Sequence, residues 1–132
     1  MIKWLLKILP LRREASELLP FELGKAGEEE AIKYLKKKGL KILGKNIKIG
    51  RKEIDIVAEE NDEIVFVEVK TCRNENWTYP ENKVDYKKKE NIRKTAHRYI
   101  KKYNVRKKYY RFDIIAITWE PEKSIHWIKN AF

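Results

Sequence analysis

A single cysteine, Cys72, stands in 132 residues. No internal disulfide can form, and a reducing, cytoplasmic setting is expected. Only two histidines are present, His97 and His126, far apart and without a cysteine or histidine at ligand spacing. That excludes a zinc centre of the usual kind. The five glycines build neither a phosphate-cradling loop nor a dinucleotide fingerprint, and no serine sits in a nucleophile elbow. Long apolar runs are also missing. The best, from Trp4 to Leu11, is interrupted by Lys7 and Pro10 and is too short to span a bilayer. It lacks a small-residue cleavage site as well. Residues 1–23 are therefore expected to be an appendage packed on the domain or on a second subunit. Shallow membrane contact is the lesser alternative, and no stable membrane insertion is expected. There is no internal repeat and no low-complexity segment.

Acidic residues are nearly absent from one stretch. Residues 87–111 hold twelve Lys/Arg and one acid, Glu90, and so account for the entire net charge of +11. The remainder holds nineteen basic and nineteen acidic side chains and cancels. A neutral body with one concentrated basic element is the footprint of a polyanion binder. A solvated lysine-rich helix fits the charge equally well, and both readings stay open at this point. With 42% apolar and 39% charged residues, the chain is large enough for one core and one domain, residues 24–132.

The hydrophobic pattern predicts the order α-β-β-β-α-β-β, a mixed sheet flanked by helices in an α/β fold. Gly24 to Lys38 reads as a helix stopped by Gly39. Within it Glu28 lies within about 60° of Ala31, Ile32 and Leu35, so it shares their inward face. It is either a site residue or an acid favoured by the helix dipole. Residues 41–49 alternate as a first strand, turning at Gly50-Arg51-Lys52. Residues 72–83, with Pro80 and three Asn, read as a loop. A second helix over 84–103 places Ile92, Ala96, Tyr99 and Tyr103 on one face, with Lys88 one turn earlier on the same face. The near-continuous apolar run Arg111 to Thr118 predicts a central strand. A last strand, Ile125 to Ile128, follows the Glu120-Pro-Glu-Lys turn.

Between these elements lies the chemistry. Residues 53–59 and 64–70 predict an antiparallel hairpin turning at Asn61-Asp62, which tolerate a left-handed backbone. Position i then faces position 123 − i, so Asp55 is opposite Glu68 and Glu53 opposite Lys70. The other face pairs Ile54 with Val69, Ile56 with Val67 and Ala58 with Val65, all apolar. Like charges directly opposite on a sheet are destabilising. Two facing carboxylates beside an apolar face therefore suggest a cation site. Their oxygens suit a hard divalent ion, Mg²⁺ or Mn²⁺, completed by waters and a substrate phosphate. Such an ion activates water and neutralises charge on a phosphoryl group. Lys70 is placed to stabilise the negative transition state or to hold the attacking water. An inward Glu28 adds an outer contact, and Lys88 reaches the phosphate from the second helix. Alternating charge on an exposed hairpin is the plain alternative. His97 reads as a surface residue and Cys72 as a small filler. Tyr99, Tyr103, Tyr109 and Tyr110 suit base stacking, but core packing explains them more cheaply.

Several motifs in order carry a resemblance over residues 24–132. They are Gly27-Glu28 with Ala31 and Tyr34-Leu35, Glu53-Ile-Asp55, Val65-Phe-Val-Glu-Val-Lys70, Val84 and Lys88 before Ala96, Arg111-Phe-Asp113, and Trp127-Ile-Lys-Asn-Ala-Phe132. With them the chain resembles the YraN-like family of bacterial proteins. That family looks like a branch of the PD-(D/E)XK nuclease superfamily and is similar to archaeal Holliday-junction resolvases. The resemblance implies a restriction-endonuclease-like core, Asp55 and Glu68 as metal ligands and Lys70 as the catalytic lysine. It matches Glu28 to the acid of the first helix and Lys88 to the polar position after the core. Arg111 and Asp113 match a signature that is either a buried ion pair or a substrate contact. The chain departs from the family pattern at Lys52, Lys89 and Cys72, none of which removes a ligand.

The expectation is a Mg²⁺- or Mn²⁺-dependent endonuclease on DNA, of branched or structured form, working as a homodimer. Arg51, Lys52, Lys87, Lys88, Lys89, Arg93 and Lys94 are the candidate backbone contacts. The alternatives are a non-catalytic nucleic-acid-binding module that kept the fold, or a structural adaptor.

Overall fold

In a computed structural model, residues 17–74, 84–107 and 109–132 are described. The expected loop at 72–83 and the appendage at 1–23 therefore fall largely outside them. The elements follow the predicted order: α1 (Pro20–Lys37), β1 (Lys41–Ile49), β2 (Lys52–Glu60), β3 (Glu63–Cys72), α2 (Tyr86–Lys102), β4 (Tyr109–Thr118) and β5 (Ser124–Ile128).

α1 begins at Pro20, one turn before the expected Gly24. Proline at the first helical position has a preset φ and lacks an N–H that would have no partner there anyway. Glu22 reaches back to accept the Leu19 backbone N–H at 3.3 Å, and Leu23 is already buried. α2 is capped by Asp85, whose carboxylate accepts the Lys88 N–H at 2.8 Å.

The five strands lie in sequence order in one sheet. Only β3 and β4 run parallel, joined by the crossover that contains α2; every other neighbour is antiparallel. The predicted hairpin register is present: Ile56 pairs with Val67, Ala58 with Val65 and Glu60 with Glu63. Asn61 takes the left-handed conformation at the turn, φ 53°.

Both faces of the sheet are core. α1 covers one with Ala31 and Leu35 on Ile56, Ala58, Val65, Val67, Ile115 and Ile117. α2 covers the other with Ala96 and Tyr99 on Val57, Ile64 and Phe66, while Ile92 packs on Ile114. Burial on both sides is why β3 and β4 read as unbroken apolar runs. Ile54 departs from the expected face, packing with Ile49 and Val57 beneath α2. Tyr103 departs as well, lying half exposed at the end of α2.

Arg111 and Asp113 form a buried ion pair. Asp113 is fully buried and accepts hydrogen bonds from Arg111 Nε, Trp127 Nε1 and the Asn130 N–H, each at 2.9 Å. The same guanidinium reaches Glu60 at 2.9 Å and Glu63 at 3.4 Å, neutralising the acids that face each other at the hairpin turn. Burial alone would depress the Arg111 pKa; its bonds to Asp113 and Glu60 outweigh that and raise it. This network locks the hairpin turn to the end of the chain.

Candidate metal centre

The β2–β3 ladder stops at Ile56–Val67. One residue further, the Asp55 carboxylate accepts the Val69 backbone N–H at 2.9 Å. A side chain thus takes the donor that a strand carbonyl would have used, and the two strands part. The parting opens a cavity of about 460 Å³ lined by Glu28, Asp55, Glu68, Lys70 and Arg73.

α1 reaches this opening because of Gly27. A Cβ there would sit 2.2 Å from Thr71 Oγ1 on β3. Only glycine lets helix and strand approach so closely. The next residue, Glu28, then meets the strands: carboxylate oxygens of Glu28, Glu53 and Asp55 lie within 4.8 Å of one another. Lys25 flanks Glu28 at 3.7 Å.

Glu53 was expected opposite Lys70. With the ladder ended at Ile56 no such pair forms; Glu53 pairs in backbone register with Lys48 of β1 and turns its carboxylate to Glu28 and Asp55. It is the site acid that the sequence reading missed. Its place two residues before Asp55, on the same side of the strand, was the signal available.

Glu68 is buried and stands beside Asp55. Lys88 of α2 reaches it at 3.5 Å. Burial pushes the Asp55 pKa up to about 7, and the Glu68 charge and hydrogen bond push it the same way; the Val69 N–H and the Lys88 charge resist. Asp55 is therefore the carboxylate poised to hold a proton near neutral pH. The donor set is all carboxylate oxygen and crowded, which fits a hard divalent cation.

A second, smaller cavity of about 270 Å³ adjoins Asp55 from the α2 side. It is lined by Arg51, Lys52, Glu53, Lys88, Asn91 and Thr95. Asp55 is common to both cavities. Of the remaining basic candidates, Lys87 and Lys94 are exposed on α2, whereas Lys89 and Arg93 stand over the Phe132 ring at 5.9 and 5.3 Å. Arg93 is also paired with Glu90. Arg73, unforeseen in the sequence, donates to the Leu18 carbonyl at 2.6 Å. Among the described residues no helix is long and apolar enough to cross a membrane.

Residues 27–117 match the profile described as Uncharacterised protein family UPF0102. A UPF0102 protein of Persephonella marina is 44% identical over 109 residues, covering 83% of this chain and 91% of the relative. Those of Clostridioides difficile and Thermodesulfovibrio yellowstonii are each 45% identical, over 111 and 113 residues, covering 84% of this chain and 96% of each relative. With the mixed sheet and the parted hairpin in place, the chain belongs to the UPF0102, or YraN-like, family of the PD-(D/E)XK nuclease superfamily.

Proposed function

We propose that the protein is a Mg²⁺- or Mn²⁺-dependent endonuclease that hydrolyses phosphodiester bonds in DNA of branched or structured form. The observation that carries this reading is the convergence of Glu28, Glu53 and Asp55 within 4.8 Å, beside the buried Glu68 and at a cavity that also receives Lys70. Asp55 and Glu68 would hold the ion, with Glu28 and Glu53 able to accept from its waters. When bound, such an ion supplies an activated water and neutralises charge at the phosphoryl group.

The protein's own residues supply the rest. Lys70 donates to the attacking water or to the phosphoryl oxygens, stabilising charge as it develops. Lys88, 3.5 Å from the Glu68 carboxylate, would be free to contact a phosphate if that carboxylate held the ion. Arg51 and Lys52, at the turn between β1 and β2, hold the neighbouring backbone and position it without reading bases. A symmetric pair of chains would present two sites to two strands.

The test is incubation with linear, supercoiled and four-way-junction DNA in Mg²⁺, Mn²⁺ or chelator, alongside Glu68→Ala and Lys70→Ala. Metal-dependent cleavage abolished by both substitutions is the expected result. Tight binding that neither substitution changes, with no cleavage of any substrate, would establish a non-catalytic binding module instead.

A further inference from the structure

Aromatic rings run in a chain through the protein and out of it. Phe132 stacks on Phe112 at 5.3 Å, Phe112 on Phe66 at 5.5 Å, Phe66 meets Tyr99 edge-on at 5.7 Å, and Tyr99 meets Tyr103 at 4.7 Å. Tyr99 is buried, but Tyr103 is 52% exposed. Core packing, sufficient for Tyr99, does not account for Tyr103.

The exposed ring has basic company: Lys102 Nζ stands 5.6 Å from its centroid, and Lys101 and Arg106, its neighbours in the chain, are exposed. Tyr110, 41% exposed, pairs in register with Ile64, whose side chain packs beneath α2 with Tyr99. Tyr110 is therefore on the face of the sheet that α2 covers. A large, partly supported ring bordered by cations is what a nucleobase with its phosphate requires: a stacking surface and a counter-charge.

The position of this patch adds a length. Fifteen residues of α2 separate Lys88, beside Glu68, from Tyr103, about 22 Å at helical rise. That is about six to seven base-pair steps at 3.4 Å each. In a paired duplex the base faces are covered by their neighbours, so a ring at that distance can stack only where the duplex has opened.

We propose that Tyr103, supported by Tyr99 and bordered by Lys102, stacks on an unpaired base of the bound nucleic acid. The substrate class is a duplex that adjoins unpaired bases about six to seven steps from the bond held at Asp55. This rests on the nucleic-acid reading of the carboxylate site and assigns the far end of α2 to the same substrate.

The experiment measures binding of the full chain, in chelator so that no cleavage intervenes, to a fully paired duplex and to one with a short internal gap. The gap carries 2-aminopurine, whose fluorescence is quenched by stacking on a ring. Wild type and Tyr103→Phe should bind the gapped DNA more tightly than the paired duplex and alter the 2-aminopurine signal. Tyr103→Leu and Tyr103→Ala should lose roughly tenfold on gapped DNA and little on the duplex. Equal binding of gapped DNA by Tyr103→Leu and wild type, or no fluorescence change with wild type, overturns the stacking site while leaving the carboxylate site standing. Absence of any DNA binding by wild type overturns both.

Discussion

The Asp55 carboxylate accepts the Val69 backbone N–H at 2.9 Å, at the point where the β2–β3 ladder ends. The bond holds one carboxylate oxygen in place, and burial beside Glu68 raises the Asp55 pKa to about 7. The folded metal-free protein therefore holds a proton that the unfolded chain releases near pH 4.

Because the folded pKa is the higher one, the stabilisation is present at low pH and is lost as pH rises through about 7. The metal-free protein should melt at a higher temperature at pH 6 than at pH 8, as far as this group decides. Asp55→Asn should flatten that slope. Added Mn²⁺ must displace the proton, so its affinity should rise with pH up to about 8. Thermal melts with and without Mn²⁺ across this range check the sign.

Glu53→Gln should weaken Mn²⁺ binding roughly tenfold, the scale expected when a supporting group of a metal site is altered. The residue is exposed on β2, so urea unfolding in chelator should change little. Calorimetric titration with Mn²⁺ on this variant beside Glu68→Gln ranks the two acids. Loss of binding in Glu68→Gln but not in Glu53→Gln would exclude Glu53 from the ligand set.

Gly27→Ala should destabilise the fold by roughly 1–3 kcal/mol, because its methyl would meet Thr71 Oγ1 at 2.2 Å. Thr71→Ala removes that oxygen, so the double variant should recover much of the loss. A double-mutant cycle in urea measures the coupling. Gly27→Ala alone should also weaken Mn²⁺ binding by shifting Glu28.

Asp113→Ala strips Arg111, Trp127 and the Asn130 N–H of a shared acceptor. Breaking a buried ion pair from one side costs about 3–5 kcal/mol. The midpoint in urea should fall sharply, while the Mn²⁺ affinity of molecules that remain folded should not change. A metal-affinity loss would place this pair in the site rather than in the scaffold.

DNA affinity should fall with salt, log K declining by about 0.9 per log unit of salt for every phosphate neutralised. Arg51→Ala, Lys52→Ala and Lys87→Ala should each lower that slope by about one, whatever the DNA sequence. Lys89→Ala should lower it less, since its ammonium already stands over Phe132. Fluorescence anisotropy across a salt series reads the slopes.

Much of this architecture was legible in order along the chain. Period-two alternation and the Asn61 turn fixed the hairpin register, because a one-residue slip would exchange every side chain between faces. The charge concentrated in residues 87–111 marks α2 in the sequence alone. Glu53 was not legible as a site acid, since an unbroken ladder would have set it against Lys70. Arg111 and Asp113 could be recognised as a pair but not assigned, because Glu60, Glu63, Trp127 and Asn130 come from distant parts of the sequence.

The sequence by itself determined the element order and the hairpin register from Ile56 to Glu60. Those depend on local period and turn chemistry, which the chain carries residue by residue. Only the tertiary structure decided that the strands part at Asp55 and that Glu53 and Glu28 converge there. It also decided that Tyr99 is core while Tyr103 is surface. Each of these depends on how closely α1 and α2 approach the sheet, a distance set by packing between residues far apart in the chain, such as Gly27 against Thr71.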